Sequence, residues 1–224
     1  MREYTDLKEF WNKVLYNDSP EKIDEKWIND DSFNNLIYKY IKKNDNVLDY
    51  GSGSGWALIE IYNTIKIKGI GIDTSANGVN YSNECLKLSG IKDISFICGD
   101  EHILNEYKNH FDSCVSFNLL DVIPDDIIHS ILRNLKESIK KDGYLIIGIN
   151  PDFGEDFLSS RGFIKKDSYL YKDGILRCNI KKVSEWIKIF ELYFAFEELV
   201  YVSLTENEKA FPRRVFILKN SNKN

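Results

Sequence analysis

The sequence predicts an α/β protein with a mostly parallel sheet and helices on both faces. Three observations carry this. Short apolar runs alternate with stretches of helical spacing from residue 45 to residue 150, the pattern of βαβ units. The runs are close to continuously apolar, as strands covered on both faces must be. The first run ends VLDYGSGSGW, Val47 to Trp56, with three glycines on alternate positions behind an aspartate. Glycine permits backbone conformations and close approaches that a Cβ forbids, so a cluster behind a strand marks backbone that something must touch.

The elements follow in order. Leu7, Phe10, Trp11, Val14 and Leu15 have helical spacing. Ser19-Pro20 reads as an N-cap with proline at the first helical position. Phe33, Leu36, Ile37, Tyr40 and Ile41 form another apolar stripe, closed by KKND. Val47 to Tyr50 is the first strand, followed by a helix over about Ser54 to Ile67. GIGID, Gly69 to Asp73, is the second, followed by a helix over about Ala76 to Leu88. DISFIC, Asp93 to Cys98, is the third, and DSCVSFN, Asp112 to Asn118, the fourth. Ile127, Ile128, Ile131, Leu132, Leu135 and Ile139 stripe a long helix before a fifth strand, Gly143 to Ile149. The C-terminal third changes style. YLYKDGILRC, Tyr169 to Cys178, places β-rich arms around Asp173-Gly174, a hairpin signal. Ser184 is positioned to cap a helix carrying Trp186, Ile189, Phe190 and Tyr193. Strands near Phe196 to Leu204 and Arg213 to Lys219 precede a polar tail, Lys219 to Asn224.

These pieces make one domain, 1–224. It divides into an N-terminal helical cap (1–44), a ligand-binding core (45–150), an excursion (151–182) and a closing helix with strands (183–219). A chain of 224 residues can bury a substantial core. The net charge of −5 argues against a nucleic-acid partner held by phosphate contacts. No apolar run approaches the ~20 residues of a membrane helix, and MREYTDLKEFW lacks the basic-then-apolar order of a signal peptide. The expectation is a cytoplasmic protein with no membrane partner. Cys85, Cys98, Cys114 and Cys178 form no C-x-x-C pair and read as buried free thiols. His102, His110 and His129 lack metal-ligand spacing, so no metal is expected.

In an open α/β sheet, ligands bind outside the carboxyl ends of the strands. Asp49 and the glycines follow the first strand here, Asp73 ends the second, Asp100 follows the third, Asn118 ends the fourth, and Asn150 follows the fifth. G-x-G-x-x-G fails in both registers, since Trp56 and Leu58 occupy the sixth positions. No G-K-[ST] follows the glycines, which excludes a P-loop. Asp73 stands eighteen residues beyond Gly55, close to the ~20 at which an acid meets ribose hydroxyls. The pattern favours a nucleoside without a diphosphate cradle.

VLDYGSGSG, GIGID, FICGD, FDSCVSFNLLDVIP and LKESIKKDGYLIIG, in that order, resemble the motif set of class I S-adenosylmethionine-dependent methyltransferases over about Asp45 to Asn150. The resemblance implies a Rossmann-like sheet of seven strands in order 3-2-1-4-5-7-6, with strand seven antiparallel. It implies S-adenosyl-L-methionine as cofactor and S-adenosyl-L-homocysteine as product. Gly51, Ser52, Gly53 and Gly55 would pass the methionine moiety, with Asp49 organising the loop and the amino group. Asp73 would take the ribose, Thr74 would lie against adenine, and Asp100 and Glu101 would meet its edge and ring. Phe117 and Asn118 would form the cusp beneath the sulfonium.

Each residue also has a plainer reading. The glycines could make a tight turn, Asp73 could cap a helix, and Asp100 could cap a short turn. His102 reads as a loop residue, Asp121 as a surface or capping carboxylate, and His129 as a residue on the solvated face of the long helix. Trp56 reads as core, and Arg213 and Arg214 as edge-strand charges. Methyl transfer from a sulfonium is an in-line displacement that needs proximity and orientation above all. No catalytic residue is assigned; by position, Asp121, His102 and Asn150 are candidates for a base. Residues 1–30 and 151–178 carry clustered aromatics, Tyr4, Trp11, Tyr16, Trp27, Phe153, Phe157, Tyr169 and Tyr171, and would close over a small, cationic or aromatic acceptor. The expected function is methyl transfer to a small molecule by a monomer or homodimer. The alternatives are a peptide or amine N-methyltransferase and a non-catalytic S-adenosylmethionine-binding regulatory protein. An NPPY-type signature is absent, with Phe117-Asn118-Leu119-Leu120 in its place.

Overall fold

The structure is a computed structural model. It describes residues 2–14, 19–23, 28, 31–151, 158, 160–205, 208–209 and 211–221. Leu15, Tyr16, Trp27, Phe153 and Phe157 lie outside the described residues.

Six helices are described in full: α1 (Arg2–Val14), α2 (Asp31–Tyr40), α3 (Trp56–Ile65), α4 (Ala76–Ser89), α5 (Asp125–Ser138) and α6 (Val183–Phe190). The strands are β1 (Asn46–Tyr50), β2 (Lys68–Asp73), β3 (Ile94–Cys98), β4 (Phe111–Phe117), β5 (Ile139–Ile149), β6 (Ile164–Lys166), β7 (Tyr169–Lys172), β8 (Ile175–Asn179), β9 (Ala195–Val202) and β10 (Arg213–Lys219). The central sheet has seven strands in order β3-β2-β1-β4-β5-β10-β9. With β9 and β10 counted as its sixth and seventh strands, this is the expected 3-2-1-4-5-7-6. The seventh strand runs antiparallel to both neighbours.

Alternation along the strands builds two cores. Leu48, Cys114, Leu145, Ile147, Phe216 and Leu218 face one side, against Ile128, Ile131, Leu132 and Leu135 of α5 and Trp186 and Phe190 of α6. Val47, Val115, Ile146, Val215 and Ile217 face the other, against α2, α3 and Val79 and Leu86 of α4. Successive strand side chains point to opposite faces, so a sheet covered twice requires mostly apolar runs, interrupted here by the buried Asp49 of β1 and Ser113 and Ser116 of β4. The helices start and stop for local reasons. Ser75 accepts the Gly78 N–H at 3.0 Å to open α4, and Gly90, at φ 68, closes it.

The predicted hairpin forms, with Asp173 and Gly174 at φ 54 and 76, both positive as a two-residue turn demands. It joins β7 to β8 in a separate sheet of order β6-β7-β8.

Several expectations are corrected. Glu21 to Ile23 are not helical. The Ile23 N–H instead donates to Ser89 Oγ at 2.8 Å. The α6 cap is Lys182, whose N–H the Glu185 carboxylate accepts at 2.8 Å, so Ser184 already lies inside the helix. β5 begins at Ile139 and carries an irregularity opposite Phe111 and Ser113, which lengthens it beyond the apolar run that announces it. Cys98 is exposed, whereas Cys85 and Cys114 are buried. Arg213 and Arg214 belong to β10, which is paired on both sides. No described helix is long and apolar enough to cross a membrane.

Candidate functional site

The loop behind β1 turns through Gly51, Gly53 and Gly55 at φ 78, 52 and 75. A Cβ at Gly51 would stand 2.7 Å from Leu119 Cδ2, and one at Gly55 would stand 2.3 Å from Phe96 Cζ. The tight turn and its packing therefore require glycine at both positions, in line with the plainer reading. Gly51, Ser52 and Gly53 also line a cavity of about 360 Å³ at the carboxyl ends of the parallel strands, whereas Gly55 packs behind it at the start of α3.

Asp73 and Thr74 line the same cavity from the end of β2. The Asp73 carboxylate accepts the Gly53 N–H at 2.8 Å on one oxygen and the Ser75 N–H at 2.7 Å on the other. Burial raises its pKa, and these backbone donors act against that. A carboxylate has about four acceptor positions, so capacity remains for two hydroxyl donors. Asp49 sits on β1 directly before this loop and is 2% exposed. Its Oδ2 has no hydrogen-bond partner. Burial, then repulsion from Asp73, pushes its pKa up to about 8. A carboxyl held this way lacks a cation, and a nearby ammonium would reverse the shift.

Phe117 and Asn118 close the floor. Phe117 packs on Trp56 and Phe33 with ring centroids 5.2 and 6.1 Å away, which makes Trp56 both packed and a wall of the cavity. Asn118 adopts φ 56, and its side-chain oxygen accepts from Arg213. Gly99 lines the cavity from beyond the end of β3. Asp100 and Glu101 do not line the cavity. Asp100 caps the short 3-10 turn Glu101–Glu106 by accepting the His102 N–H at 3.1 Å, and lies 3.7 Å from Lys8 Nζ. Glu101 is buried, with Oε2 unpartnered.

The three candidate bases separate. Asn150 lines the cavity. Asp121 is fully buried, not a surface group, and does not line the cavity. Its Oδ2 accepts the Asn150 N–H at 2.9 Å, while Arg214 donates to the Asn150 carbonyl at 3.0 and 3.2 Å. Asp121 holds Asn150 in place and takes no part at the surface. His102 is exposed and outside the cavity. His129 is half-buried, its Nδ1 3.0 Å from the Tyr193 hydroxyl, rather than solvated.

Of the aromatics expected to form a lid, Tyr4 and Trp11 of α1 line the cavity, and Tyr169 and Tyr171 do not. The Tyr169 hydroxyl instead accepts the Asp125 N–H at 3.3 Å. Tyr50, Leu119, Val122, Ile131 and Arg177 also line it, and no sequence pattern singles them out. Tyr50 carries the clearest signal of the five, since it stands between Asp49 and Gly51 in the first motif. A second cavity, about 330 Å³, opens among Asn46, Lys68, Asp93 and His110 at the opposite end of the strands, away from the end where α/β sheets hold ligands.

The sheet order, the reversed seventh strand and a cavity at the strand ends beside an acid-glycine loop are those of a class I S-adenosylmethionine-dependent methyltransferase. A family model described as "Methyltransferase domain" matches residues 41–191, and the chain belongs to that family. A SAM-dependent methyltransferase from Methanosarcina mazei superimposes with TM-score 0.71 at 17% identity, over 84% of this chain and 98% of that one. The geranyl diphosphate C-methyltransferase of Streptomyces coelicolor A3(2), solved with S-adenosyl-L-homocysteine, gives 0.64 at 12%, over 98% and 99%. The cyclase SpnF gives 0.66 at 14%, over 98% and 93%. At these identities the likeness is one of fold. No curated protein matches the chain in sequence.

Proposed function

We propose that this chain transfers a methyl group from S-adenosyl-L-methionine to a small-molecule acceptor. The observation that carries the reading is the buried, partnerless Asp49 oxygen behind a glycine loop whose other face lines the cavity. It fits a ligand that brings an ammonium group. Asp73 fits the ribose, with its orientation fixed by the Gly53 and Ser75 amides. Gly99 and Thr74 fit the adenine side, with Asp100 and Glu101 behind them, and Phe117 and Asn118 fit the floor below the reacting centre. The cofactor supplies an activated methyl on a sulfonium. The protein's task is then to orient an acceptor and to exclude water.

Two features support a small acceptor. The cavity is roofed by Tyr4 and Trp11, and α1 is latched onto the nucleotide-side loops. Asn12 Oδ1 accepts from the Ser75 hydroxyl and the Asn77 N–H at 3.1 and 3.2 Å. Among the described residues the cavity wall holds one carboxylate, Asp73, and no histidine or lysine, and burial raises the Tyr4 and Tyr50 phenols, which favours an acceptor that is already nucleophilic. The test is methyl turnover from labelled S-adenosyl-L-methionine against small amines, phenols, thiols and carboxylic acids, with short peptides alongside. Turnover of a small molecule is expected; turnover of peptides alone would overturn this assignment.

A further inference from the structure

Arg177, on β8, is the one cation among the described residues lining the cavity. Its guanidinium carbon lies 3.7 Å from the centroid of the Phe10 ring. At that distance the cation sits against the face of the ring, and its N–H donors lie in the guanidinium plane. Among the described residues it forms no ion pair, and its buried Nε has no hydrogen-bond partner. Other shielded cations here are satisfied. Lys181 is held by both Asp125 oxygens at 2.9 and 2.8 Å, Arg213 by Glu208 at 2.6 Å, and Arg214 by the Asn150 carbonyl.

Trp11 meets Phe10 edge-on, ring centroids 5.2 Å apart. It lines the cavity too, and its buried Nε1–H is likewise unpartnered. Two donors left without acceptors therefore belong to residues packed against one phenyl ring, on elements outside the central sheet. Leaving buried donors unmade is costly unless an incoming group completes them. The one carboxylate in the cavity wall, Asp73, is bonded to Gly53 and Ser75 on the nucleotide side.

We propose that Arg177, with the Trp11 indole N–H, forms a subsite that selects methyl acceptors carrying a carboxylate. This rests on the reading of the chain as a small-molecule methyltransferase and replaces the cationic acceptor that the aromatics alone suggest. A carboxylate matches the guanidinium fork in two parallel hydrogen bonds, and a neutral amide of the same shape does not.

Calorimetric titration with benzoate and with benzamide tests it, on wild type, Arg177→Gln and Arg177→Lys, each saturated with S-adenosyl-L-homocysteine. Wild type should prefer benzoate by about tenfold or more, the scale of a hydrogen bond to a charged group. Arg177→Gln should lose the preference, Arg177→Lys should keep part of it, and both should bind S-adenosyl-L-homocysteine as wild type does. A wild type without preference, or a glutamine variant that keeps it, overturns the proposal. So does a parallel loss of S-adenosyl-L-homocysteine affinity, because Arg177 would then serve the cofactor's own carboxylate. Failure of wild type to bind S-adenosyl-L-homocysteine at all strikes the methyltransferase reading instead. The benzoate preference is then measured on the protein alone: a preference lost in Arg177→Gln upholds the carboxylate subsite, and no preference overturns it.

Discussion

At the residue scale, Asp49 is the most exacting case. Its carboxyl is raised from 3.8 to about 8 by burial and by Asp73. The folded protein therefore binds more protons than the unfolded chain between those values, and stability falls as pH rises through that window. Asp49→Asn removes this cost, so the variant should be more stable at pH 8 by about 1–3 kcal/mol, as for relief of an unsatisfied buried group. Chemical denaturation at pH 5 and pH 8 checks it, with the gain larger at pH 8. Binding of an ammonium-bearing ligand must release the Asp49 proton below pH 8. Affinity for S-adenosyl-L-homocysteine should therefore climb from pH 6.5 toward 8 in wild type, and the asparagine variant should bind weakly with a flat profile. Gly55→Ala tests the loop separately. It meets both φ 75 and the Phe96 ring, and should cost about 2 kcal/mol or more in a denaturation experiment.

At this scale the sequence is only partly legible. Asp73 and the glycines are readable because backbone geometry restricts which residues can stand there. Asp121 and Arg214 are not, since their burial depends on partners about thirty residues away or more, Asn150 in both cases. Cys98 reads as core because the third strand is apolar, but its side chain falls on an exposed position at the strand's end.

At the scale of elements, α1 is held from two directions. Leu7 is buried in the core, while Lys8 and Asn12 reach the Asp100 and Ser75 loops through polar contacts. Those loops flank the proposed nucleotide site, so a ligand that orders them should tighten α1. Hydrogen exchange with S-adenosyl-L-homocysteine should show added protection over residues 2–14, and Asn12→Ala should lose most of that gain with little change in global stability. Unchanged exchange in α1 would make the helix a fixed wall. Deletion of α1 is a poorer test, because removal of Leu7 alone costs about 2–5 kcal/mol as a core truncation. Strands and helices are readable here because period two and period 3.6 are imposed by burial. The α6 cap is not, because Lys182 caps through its backbone N–H and a downstream glutamate, a signal that side-chain preference at the cap does not carry.

Across the whole molecule, the two cores fix one sheet, and the sheet fixes one end at which Asp73, Asn118 and Asn150 converge on one cavity, with Asp49 buried behind its glycine loop. That convergence is legible from strand ends alone, since topology rather than side-chain detail brings them together. The roof is not, since β8 and α1 reach the cavity by packing that no periodicity announces. The central claim is that Asp73 and the loop behind β1 hold S-adenosyl-L-methionine. Calorimetric titration of wild type and Asp73→Ala with S-adenosyl-L-homocysteine tests it most directly, with NAD as the control ligand. One site per chain is predicted for wild type, weakened by roughly 1.5–3 kcal/mol in a folded Asp73→Ala variant. Binding of NAD in its place, or affinity unchanged by the substitution, would contradict that claim.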